Sequence, residues 1–435
     1  MNKNICVGSL TSRFILLAFF VLMITSCSQQ QGQDFTDNSS IAAVSGERGG
    51  QDILGPYNVV ADWPVDISTL EGNEDWTYGA GQSIFAESSN KIFALQRGQL
   101  PNINRPSTVA LSDIAPSIYF PVGRLPWRDA TVSSLPANGG AGSLAETAIS
   151  VWESRGGRIG VDALWKNCII IFDGDGNIVD VWDQWDSILQ RPHYIAISPY
   201  DPEKHVWIVD DHKHVIHKFT NDGSELVQTI GTYGELGNDE THFNRPSFLD
   251  WFPDGSFVVA DGYNGTRVVK FDSDGNYITS WGEPSDNSRQ DTRPNHFHNV
   301  HGIAVDPFTS RVFVNDRYNH RVQIFDEDGN YLDQWSFGQD PSDIHMFMIT
   351  NDGYLWAADR GTNKILKYDL DGNFLYSWGT WGDFPGGMWG VHGMSVDEDG
   401  NFYISEVDNG GFQKYSPREG ANPDFLVGQP IRSSW

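Results

Sequence analysis

Short apolar runs separated by polar turns recur along most of this chain. The stretch from Ser247 to Gly282 contains four of them: Phe248-Leu-Asp-Trp, Ser256-Phe-Val-Val-Ala, Thr266-Arg-Val-Val-Lys-Phe and Tyr277-Ile-Thr-Ser-Trp. Their length and their content of β-branched and aromatic residues are typical of strands. No segment of the sequence has apolar residues at a sustained helical period. The hydrophobic pattern therefore predicts an all-β protein.

A repeated tag divides these runs into units. An aromatic residue followed by Asp-x-Asp-Gly-Asn, or by a looser version of it, begins at Phe172, Phe219, Phe271, Phe325 and Tyr368. The tag glycines stand at positions 176, 223, 275, 329 and 372, so the spacings are 47, 52, 54 and 43 residues. Periods of this length indicate propellers and similar arrays. The Asp-Gly pairs predict two-residue hairpin turns, in which both central residues have positive φ.

Four short antiparallel strands per unit are typical of a β-propeller blade. Counting the looser region 80–185 as the first blade gives six blades, of which the last spans 391–417. That last unit lacks an outer strand, and the run from Tyr57 to Asp62 could supply it and close the ring. We predict an all-β, six-bladed propeller with four antiparallel strands per blade.

The first 27 residues are typical of an export signal. Lys3 and Arg13 supply positive charge, Phe14 to Ile24 is apolar, and Ile24-Thr25-Ser26-Cys27 resembles a bacterial lipoprotein cleavage box. We expect a lipid anchor on Cys27, a tether over 28–55 rich in Gln, Ser, Gly and Asp, and the propeller over 56–435. The protein would then be attached to the cell envelope, at the outer membrane if the host has one. A plain secretory signal with a chance Cys is the alternative.

The net charge and the cysteine content limit which partners and which disulfides are expected. The formal net charge of the 435 residues is −28 and the sequence pI is about 4.6, which argues against binding to nucleic acid or to an anionic membrane surface. Apart from Cys6 and Cys27 the chain has only Cys168, so no disulfide within the propeller is expected. We expect a monomer that takes a small-molecule or peptide substrate.

Three histidines share one place in the repeat. His193, His301 and His392 each open the first apolar run of a unit, in blades two, four and six. Alternate blades of a six-fold ring lie about 120° apart, so the three imidazoles are expected to converge on the axis. Three neutral imidazoles with an open fourth position are typical of catalytic Zn²⁺, and other divalent metals accept the same set. The matching residue in blade three is Ser247.

Other interpretations of the histidines stay open. The three could be hydrogen-bonded strand-end residues inherited by blade duplication. His345 in blade five interrupts the alternation and could be a further polar lining residue or a substitute ligand. A separate set is predicted to face solvent or to form cross-strand pairs, and comprises His205, His212, His214 and His217.

Two resemblances add to this picture. The segment from Ile303 to Phe325 resembles NHL repeats, many of which only bind partners. The chain over roughly 80–417 resembles the peptidyl-α-hydroxyglycine α-amidating lyases, most clearly in Val259-Ala-Asp-Gly-Tyr-Asn-Gly-Thr-Arg-Val-Val-Lys-Phe and its continuation to Glu283. Those lyases are six-bladed propellers in which three histidines hold zinc, and they cleave a carbinolamide to an amide and glyoxylate.

The lyase resemblance implies particular roles. It makes Tyr263 the general base, with Arg97 as the arginine that supports it, and it leaves the metal to the three histidines. Arg317, in the pair Asp316-Arg317, would line the site, where an arginine can hold a substrate carboxylate. A structural Ca²⁺ is left open, because Gly393 stands where the lyases have an Asp that helps to bind it.

The substrate and even the reaction class stay open at this level. The cysteines that the lyases have around the tyrosine loop are missing here, since Asn264 follows Tyr263. A smaller α-hydroxy-amide is as good a candidate as a peptide. The alternatives are a non-catalytic propeller that binds a peptide or glycan at the cell envelope, and a metal-dependent lactonase or esterase.

Overall fold

A computed structural model describes residues 52–102, 163–286, 291–338 and 340–431. The predicted export signal, Cys27 and most of the predicted tether lie outside these ranges. Helical structure in the described ranges consists of 3-10 turns at Ile67–Thr69, Asp183–Trp185, Arg317–Asn319 and Pro423–Phe425. None of the helices described is long and apolar enough to cross a membrane.

The regular structure of the described ranges is otherwise β-strand. In chain order, its first half comprises β1 (Tyr57–Val59), β2 (Trp76–Ser88), β3 (Lys91–Pro101), β4 (Ile169–Phe172), β5 (Ile178–Val181), β6 (Pro192–Ile197), β7 (Val206–Asp210), β8 (Val215–Phe219), β9 (Leu226–Ile230), β10 (Pro246–Trp251), β11 (Phe257–Asp261), β12 (Arg267–Phe271) and β13 (Tyr277–Trp281). The second half comprises β14 (Glu283–Pro284), β15 (His296–Phe297), β16 (Val300–Asp306), β17 (Arg311–Asp316), β18 (Arg321–Phe325), β19 (Tyr331–Ser336), β20 (Ile344–Ile349), β21 (Tyr354–Asp359), β22 (Lys364–Asp369), β23 (Phe374–Trp378), β24 (Val391–Val396), β25 (Phe402–Glu406) and β26 (Phe412–Pro417).

Within the described ranges these strands form six four-stranded antiparallel sheets, plus the short parallel pair β14–β15. Five of the sheets follow the chain in order, from β2–β5 in blade one to β20–β23 in blade five. The first strands of successive blades, β2, β6, β10, β16, β20 and β24, contact one another around a closed circle. The predicted six-bladed propeller is confirmed.

The ring closes through its N-terminal strand, as predicted. The sheet of blade six has the order β1-β26-β25-β24, with Tyr57 opposite Pro417 and Val59 opposite Tyr415. The ring of Tyr57 is fully buried against Trp378 and Phe402. Pairing β1 with β26 joins the first and last strands of the propeller in one sheet, so blade six holds the ring closed.

Replacing the closing tyrosine should destabilise the whole ring. We expect Tyr57→Ala to lower the free energy of unfolding by roughly 3–5 kcal/mol, because it leaves a large cavity between the ends of the chain. It also removes the hydroxyl that accepts a hydrogen bond from the Val427 amide. Urea unfolding followed by Trp fluorescence measures the change. Phe308→Ala is the matched control, since that ring is 73% exposed; equal loss in both variants would contradict a closing role.

The turns of the tag differ from the predicted two-residue form. In Asp326-Glu-Asp-Gly-Asn330 only Gly329 has positive φ, at 82°, and its amide donates to the Asp326 carbonyl. The Asp326 carboxylate accepts from the amides of Asp328 and Asn330, which satisfies the turn internally. This is the longer hairpin with a bulge at the glycine. A Cβ at Gly329 would also lie 2.6 Å from the ring of Trp281 in the preceding blade, so the tag glycine lets neighbouring blades pack.

Candidate active site

The first strand of every blade carries a β-bulge at the same place. The register of the sheet shifts around each of six residues, which we call the bulge residues. They are Gln82, His193, Ser247, His301, His345 and His392. A bulge redirects a side chain out of the alternation of the strand, and bulges are frequent beside active sites. The bulge therefore explains why histidine side chains at this position can turn out of the sheet and point toward the propeller axis.

Acidic residues at the end of the second strand hold the segments that lead into the bulges. The Asp261 carboxylate accepts from the Asn244 amide at 2.7 Å, and that of Asp316 accepts from the His298 amide at 2.7 Å. Asp210 does the same for the Gln190 amide at 2.6 Å. These acids are buried and have backbone partners, so their role is to position the strands.

The predicted metal ligands meet on the axis. One side-chain nitrogen from each of His193, His301 and His392 lies within 4.8 Å of the other two. All three residues are buried. Among the described residues this is the one group of three or more His, Cys, Asp or Glu side chains so arranged. The three histidines could hold a metal ion.

Hydrogen bonds to the next blade orient the three rings. Nδ1 of His193 lies 2.9 Å from the Ser247 carbonyl oxygen, Nδ1 of His301 2.6 Å from that of His345, and Nδ1 of His392 2.7 Å from that of Gln82. A carbonyl oxygen only accepts, so Nδ1 must carry the proton in each ring. Every Nε2 then keeps its lone pair for a ligand. Each acceptor is the carbonyl of the bulge residue in the following blade. The orientation of the three imidazoles therefore depends on contacts between neighbouring blades.

The protonation state suits metal binding. Burial, with the neighbouring positive or ionisable groups as the smaller cause, holds the pKa of all three imidazoles well below the usual value. The rings are therefore neutral at neutral pH, which is the form that binds a metal. The donor set, three neutral imidazole nitrogens with a fixed tautomer, fits Zn²⁺ with an open coordination position.

Phe248 forms an apolar surface against the three rings. It follows the bulge residue Ser247 in β10, and its ring centroid lies 5.1 Å from that of His193 and 5.2 Å from that of His301. The distance to the ring of His392 is 5.9 Å. Phe248 is 2% exposed, so it excludes water from this side of the histidines.

Tyr263 reaches the histidines from the loop between β11 and β12. Its hydroxyl oxygen lies 2.9 Å from Nε2 of His193 and 3.0 Å from Nε2 of His301. The sequence-predicted base and two predicted ligands are therefore in direct contact. Because the phenol has a single proton, it can donate to only one of the two nitrogens at a time.

The two predicted arginines differ in their surroundings. Arg97 is 4% exposed, and its Nε donates to the Pro192 carbonyl at 3.2 Å. Burial and the nearby Arg191 lower the pKa of the Arg97 guanidinium to about 9. Arg317 forms a bidentate ion pair with Asp343, at 2.6 Å and 2.7 Å.

His345 lies beside the histidines without joining them. Its ring centroid is 4.7 Å from that of His392. Its Nε2, however, lies 3.2 Å from the Asp343 carboxylate, and its nitrogens are not in the group that could hold a metal. The placement favours a polar neighbour of the site over a substitute ligand.

Several residues of the site were not predicted from the sequence. Arg245 and Arg191 lie against the ring of Tyr263, with guanidinium carbons 4.5 Å and 5.2 Å from its centroid. Both contact the carboxylate of the buried Asp211. Each arginine stands two residues before a bulge residue, so the shared register with His193 and Ser247 was the signal that could have identified them. The bulge residue of blade one, Gln82, has a buried carboxamide that lacks a protein partner in the described ranges.

The other four histidines were predicted to face solvent or to form cross-strand pairs; the first alternative is wrong, and the second holds for His217, which lies opposite Thr229 of β9. His205, His212, His214 and His217 are all buried. Nδ1 of His205 contacts Asp201 at 2.7 Å, and Nδ1 of His217 contacts Thr229 at 3.0 Å. Alternation along a strand did not reveal their exposure, because only His217 lies in a strand, whereas His205 precedes β7 and His212 and His214 lie in the turn between β7 and β8.

One of these buried histidines should make stability depend on pH. Burial lowers the pKa of His217 to about 4, whereas the unfolded chain has the ordinary value of about 6.5. The unfolded state therefore binds a proton first as pH falls, and stability decreases from pH 6.5 to 4, by on the order of 3 kcal/mol at most from this residue. We expect His217→Asn to flatten this part of the profile of unfolding free energy against pH. An unchanged slope in the variant would contradict it.

The position that the lyase resemblance links to calcium has no space for a side chain. A Cβ at Gly393 would lie 2.7 Å from Ser405 Oγ and 3.0 Å from Ser83 Cα. An Asp therefore does not fit at this position without displacing backbone. Whether the protein binds a structural Ca²⁺ was left open, and this crowding at Gly393 gives it no support.

A match to a known protein family agrees with the fold. A family described as a six-bladed β-propeller, DUF5128, matches residues 294–384. Among solved structures, a streptogramin B lyase is 12% identical with a TM-score of 0.45, over 83% of this chain and 97% of that one. Propellers have many unrelated activities, so this likeness selects none of them.

The curated relatives include amidating monooxygenases, amidating lyases and NHL repeat proteins. Peptidyl-glycine alpha-amidating monooxygenase of Mus musculus is 33% identical over 182 residues, which are 40% of this chain and 17% of that protein. A probable peptidyl-alpha-hydroxyglycine alpha-amidating lyase of Caenorhabditis elegans is 23% identical, over 55% of this chain and 67% of that one. NHL repeat-containing protein 3 of Mus musculus is 28% identical, over 59% and 75%.

The share of the relative's own length that is covered differs between the monooxygenases and the other relatives. The chain spans about a fifth of the length of the monooxygenases, at 21%, 20% and 17% of three of them. It spans most of the length of the NHL repeat protein and of the lyase. The chain is thus a six-bladed β-propeller homologous to NHL repeat proteins and to peptidyl-α-hydroxyglycine α-amidating lyases.

Proposed function

We propose that this protein is a metal-dependent lyase that cleaves the C–N bond of an α-hydroxyglycine-type carbinolamide to an amide and glyoxylate. The observation that carries the proposal is the contact of the Tyr263 hydroxyl with Nε2 of His193 and of His301, at 2.9 Å and 3.0 Å. A base that contacts two ligand nitrogens is close enough to reach a substrate hydroxyl bound beside those nitrogens. Homology to amidating lyases supports the same reaction class.

The metal is assigned to the three axial histidines. His193, His301 and His392 would hold a divalent ion, with Zn²⁺ as the first candidate for three imidazoles. When bound, the ion supplies Lewis-acid polarisation of the substrate hydroxyl. Phe248 keeps water away from one side of the rings, which strengthens electrostatic interactions at the site.

Tyr263 alone can carry out both proton transfers of the reaction. Tyr263, in its phenolate form, takes the proton of the substrate hydroxyl. The oxygen electron pair forms the aldehyde carbonyl as the C–N bond breaks, and the bonding electrons go to the amide nitrogen. Tyr263 returns the proton to that nitrogen, so the products are a primary amide and glyoxylate. No redox partner is needed.

The test is glyoxylate release from an N-acyl-α-hydroxyglycine. We expect purified protein loaded with Zn²⁺ to form glyoxylate and amide in equal amounts, at a rate well above the spontaneous breakdown of the substrate. The same protein stripped with a chelator is the control. A rate equal to the spontaneous one, in protein that holds about one metal ion per chain, would overturn the proposal and leave a binding propeller as the better interpretation.

A further inference from the structure

Two polar bulge residues keep unused hydrogen-bonding atoms beside the axis. Gln82, in blade one, is 1% exposed, and neither Nε2 nor Oε1 of its carboxamide has a partner in the described part of the chain. His345, in blade five, is 4% exposed, and its Nδ1 is likewise buried and unpaired among the described residues. A buried polar group without a partner costs about 1–3 kcal/mol. A ligand that supplies the missing partners would recover that free energy.

Both residues are neighbours of His392. The Gln82 carbonyl accepts from Nδ1 of His392 at 2.7 Å, and the ring centroid of His345 lies 4.7 Å from that of His392. The residues two positions further along the two strands, Ile84 and Phe347, line one cavity that the first strands of all six blades enclose. Blades one and five therefore share one register at the axis, and they place the carboxamide and the imidazole on the two sides of blade six.

The side of blade three has a different chemistry. The hydroxyl of its bulge residue, Ser247, is used up within the protein, since it donates to the His301 carbonyl at 2.8 Å. Phe248 adds an apolar ring, and Tyr263 brings the phenol that contacts the ligand nitrogens. Blade three lies opposite blade six in a six-fold ring. The base therefore approaches from one side, and the unused hydrogen-bonding groups lie on the other.

The two groups complement each other. Nε2 of His345 lies 3.2 Å from the Asp343 carboxylate, which only accepts, so Nε2 carries the proton and Nδ1 of the neutral ring is an acceptor. The Gln82 carboxamide can donate through Nε2. A trans amide has its N–H and its C=O on opposite edges of one plane. An acceptor and a donor on the two sides of blade six match these two edges.

We infer that Gln82 and His345 bind the amide group of the substrate, an inference that rests on the proposed lyase function. Nε2 of Gln82 donates to the acyl oxygen, and Nδ1 of His345 accepts from the amide N–H. When the C–N bond breaks, the electron pair that goes to the amide nitrogen is shared with the acyl oxygen. The Gln82 contact therefore strengthens during the reaction and accelerates it. The His345 contact selects a secondary amide against an ester, which has no N–H.

Two ligands of similar shape and equal charge test the N–H contact. N-acetylglycine has the amide N–H, acetoxyacetate has an ester oxygen in its place, and both lack the α-hydroxyl group that the reaction needs. We expect Zn²⁺-loaded protein to bind N-acetylglycine at least about tenfold more tightly in calorimetric titration, as one buried hydrogen bond provides. His345→Phe keeps an aromatic ring beside His392 and should reduce this preference to less than threefold.

Gln82→Met tests the contact with the acyl oxygen, because methionine keeps the length of the side chain and has no N–H. We expect it to weaken both ligands alike, since both have the acyl oxygen, and to lower kcat for glyoxylate release by at least about tenfold. Gln184→Met, at an exposed position in the turn after β5, is the matched control and should leave Kd and kcat within twofold. Thermal unfolding and metal content check that each variant is folded and loaded.

The outcomes separate this inference from the proposed reaction. Equal binding of the two ligands, no binding of N-acetylglycine at millimolar concentration, or a full preference for the amide in His345→Phe would each overturn it. Glyoxylate release with unchanged Kd and kcat in Gln82→Met would overturn it while the reaction stands. The expected binding pattern in a protein that releases no glyoxylate would support the amide contacts while the proposed reaction fails.

Discussion

His301→Ala protein is expected to lose its metal. The wild-type protein should bind about one divalent transition-metal ion per chain, and the variant should bind it at least about 100-fold more weakly, since one of three ligands is gone. The ring of His301 is fully buried and is fixed through Nδ1 to the His345 carbonyl, so its Nε2 keeps its lone pair for the metal. Plasma mass spectrometry after dialysis against a weak chelator, with chain concentration from absorbance, measures the ratio.

Two further histidine variants show whether the loss is specific. His345→Ala removes a ring at the matching position of blade five, and it keeps the backbone carbonyl to which His301 donates. We expect it to retain the metal, because Nε2 of His345 faces Asp343. His212→Ala removes a buried histidine outside the group of ligands and should also retain it. Equal metal content in all variants would contradict an axial site, and loss in His345→Ala would make that residue a ligand.

Tyr263→Phe is expected to lower kcat for glyoxylate release by about 10²–10⁴-fold, which is the usual contribution of a positioned general base. The ring of the variant can keep its packing against Arg245 and Arg191, and only the hydroxyl that contacts His193 and His301 is removed. The metal content should therefore stay at the wild-type value. Steady-state kinetics on the metal-loaded proteins, with subtraction of the spontaneous rate, measures the effect.

Tyr318→Phe is the matched control for this variant. Tyr318 occupies the same position in the loop after β17 that Tyr263 occupies after β11, but its ring packs against His298. We expect its kcat to change less than twofold. If Tyr263→Phe kept the wild-type kcat with full metal content, the base would have to be another group and the proposed mechanism would fail.

Much of the architecture could be predicted because it depends on local pattern. The tag around Gly329 and the four apolar runs after Ser247 follow from turn chemistry and strand propensity, which act over a few residues. The closure through Tyr57 followed from counting strands, since a blade that lacks one must find it elsewhere. The form of the tag turn was not predicted, because the side chain of Asp326 and the ring of Trp281 decide it together.

The candidate site, too, could be predicted only in part. The repeat was enough to predict the six-bladed ring and the register that brings His193, His301 and His392 to one axis, because a repeat transfers position from blade to blade. Which groups meet there became visible only in the folded chain: the bulges, the tautomers set by carbonyls of the next blade, and the placement of Arg191 and Arg245 around Asp211. These features depend on contacts between blades that are distant in sequence, and no local pattern encodes the distance between two side chains on different blades.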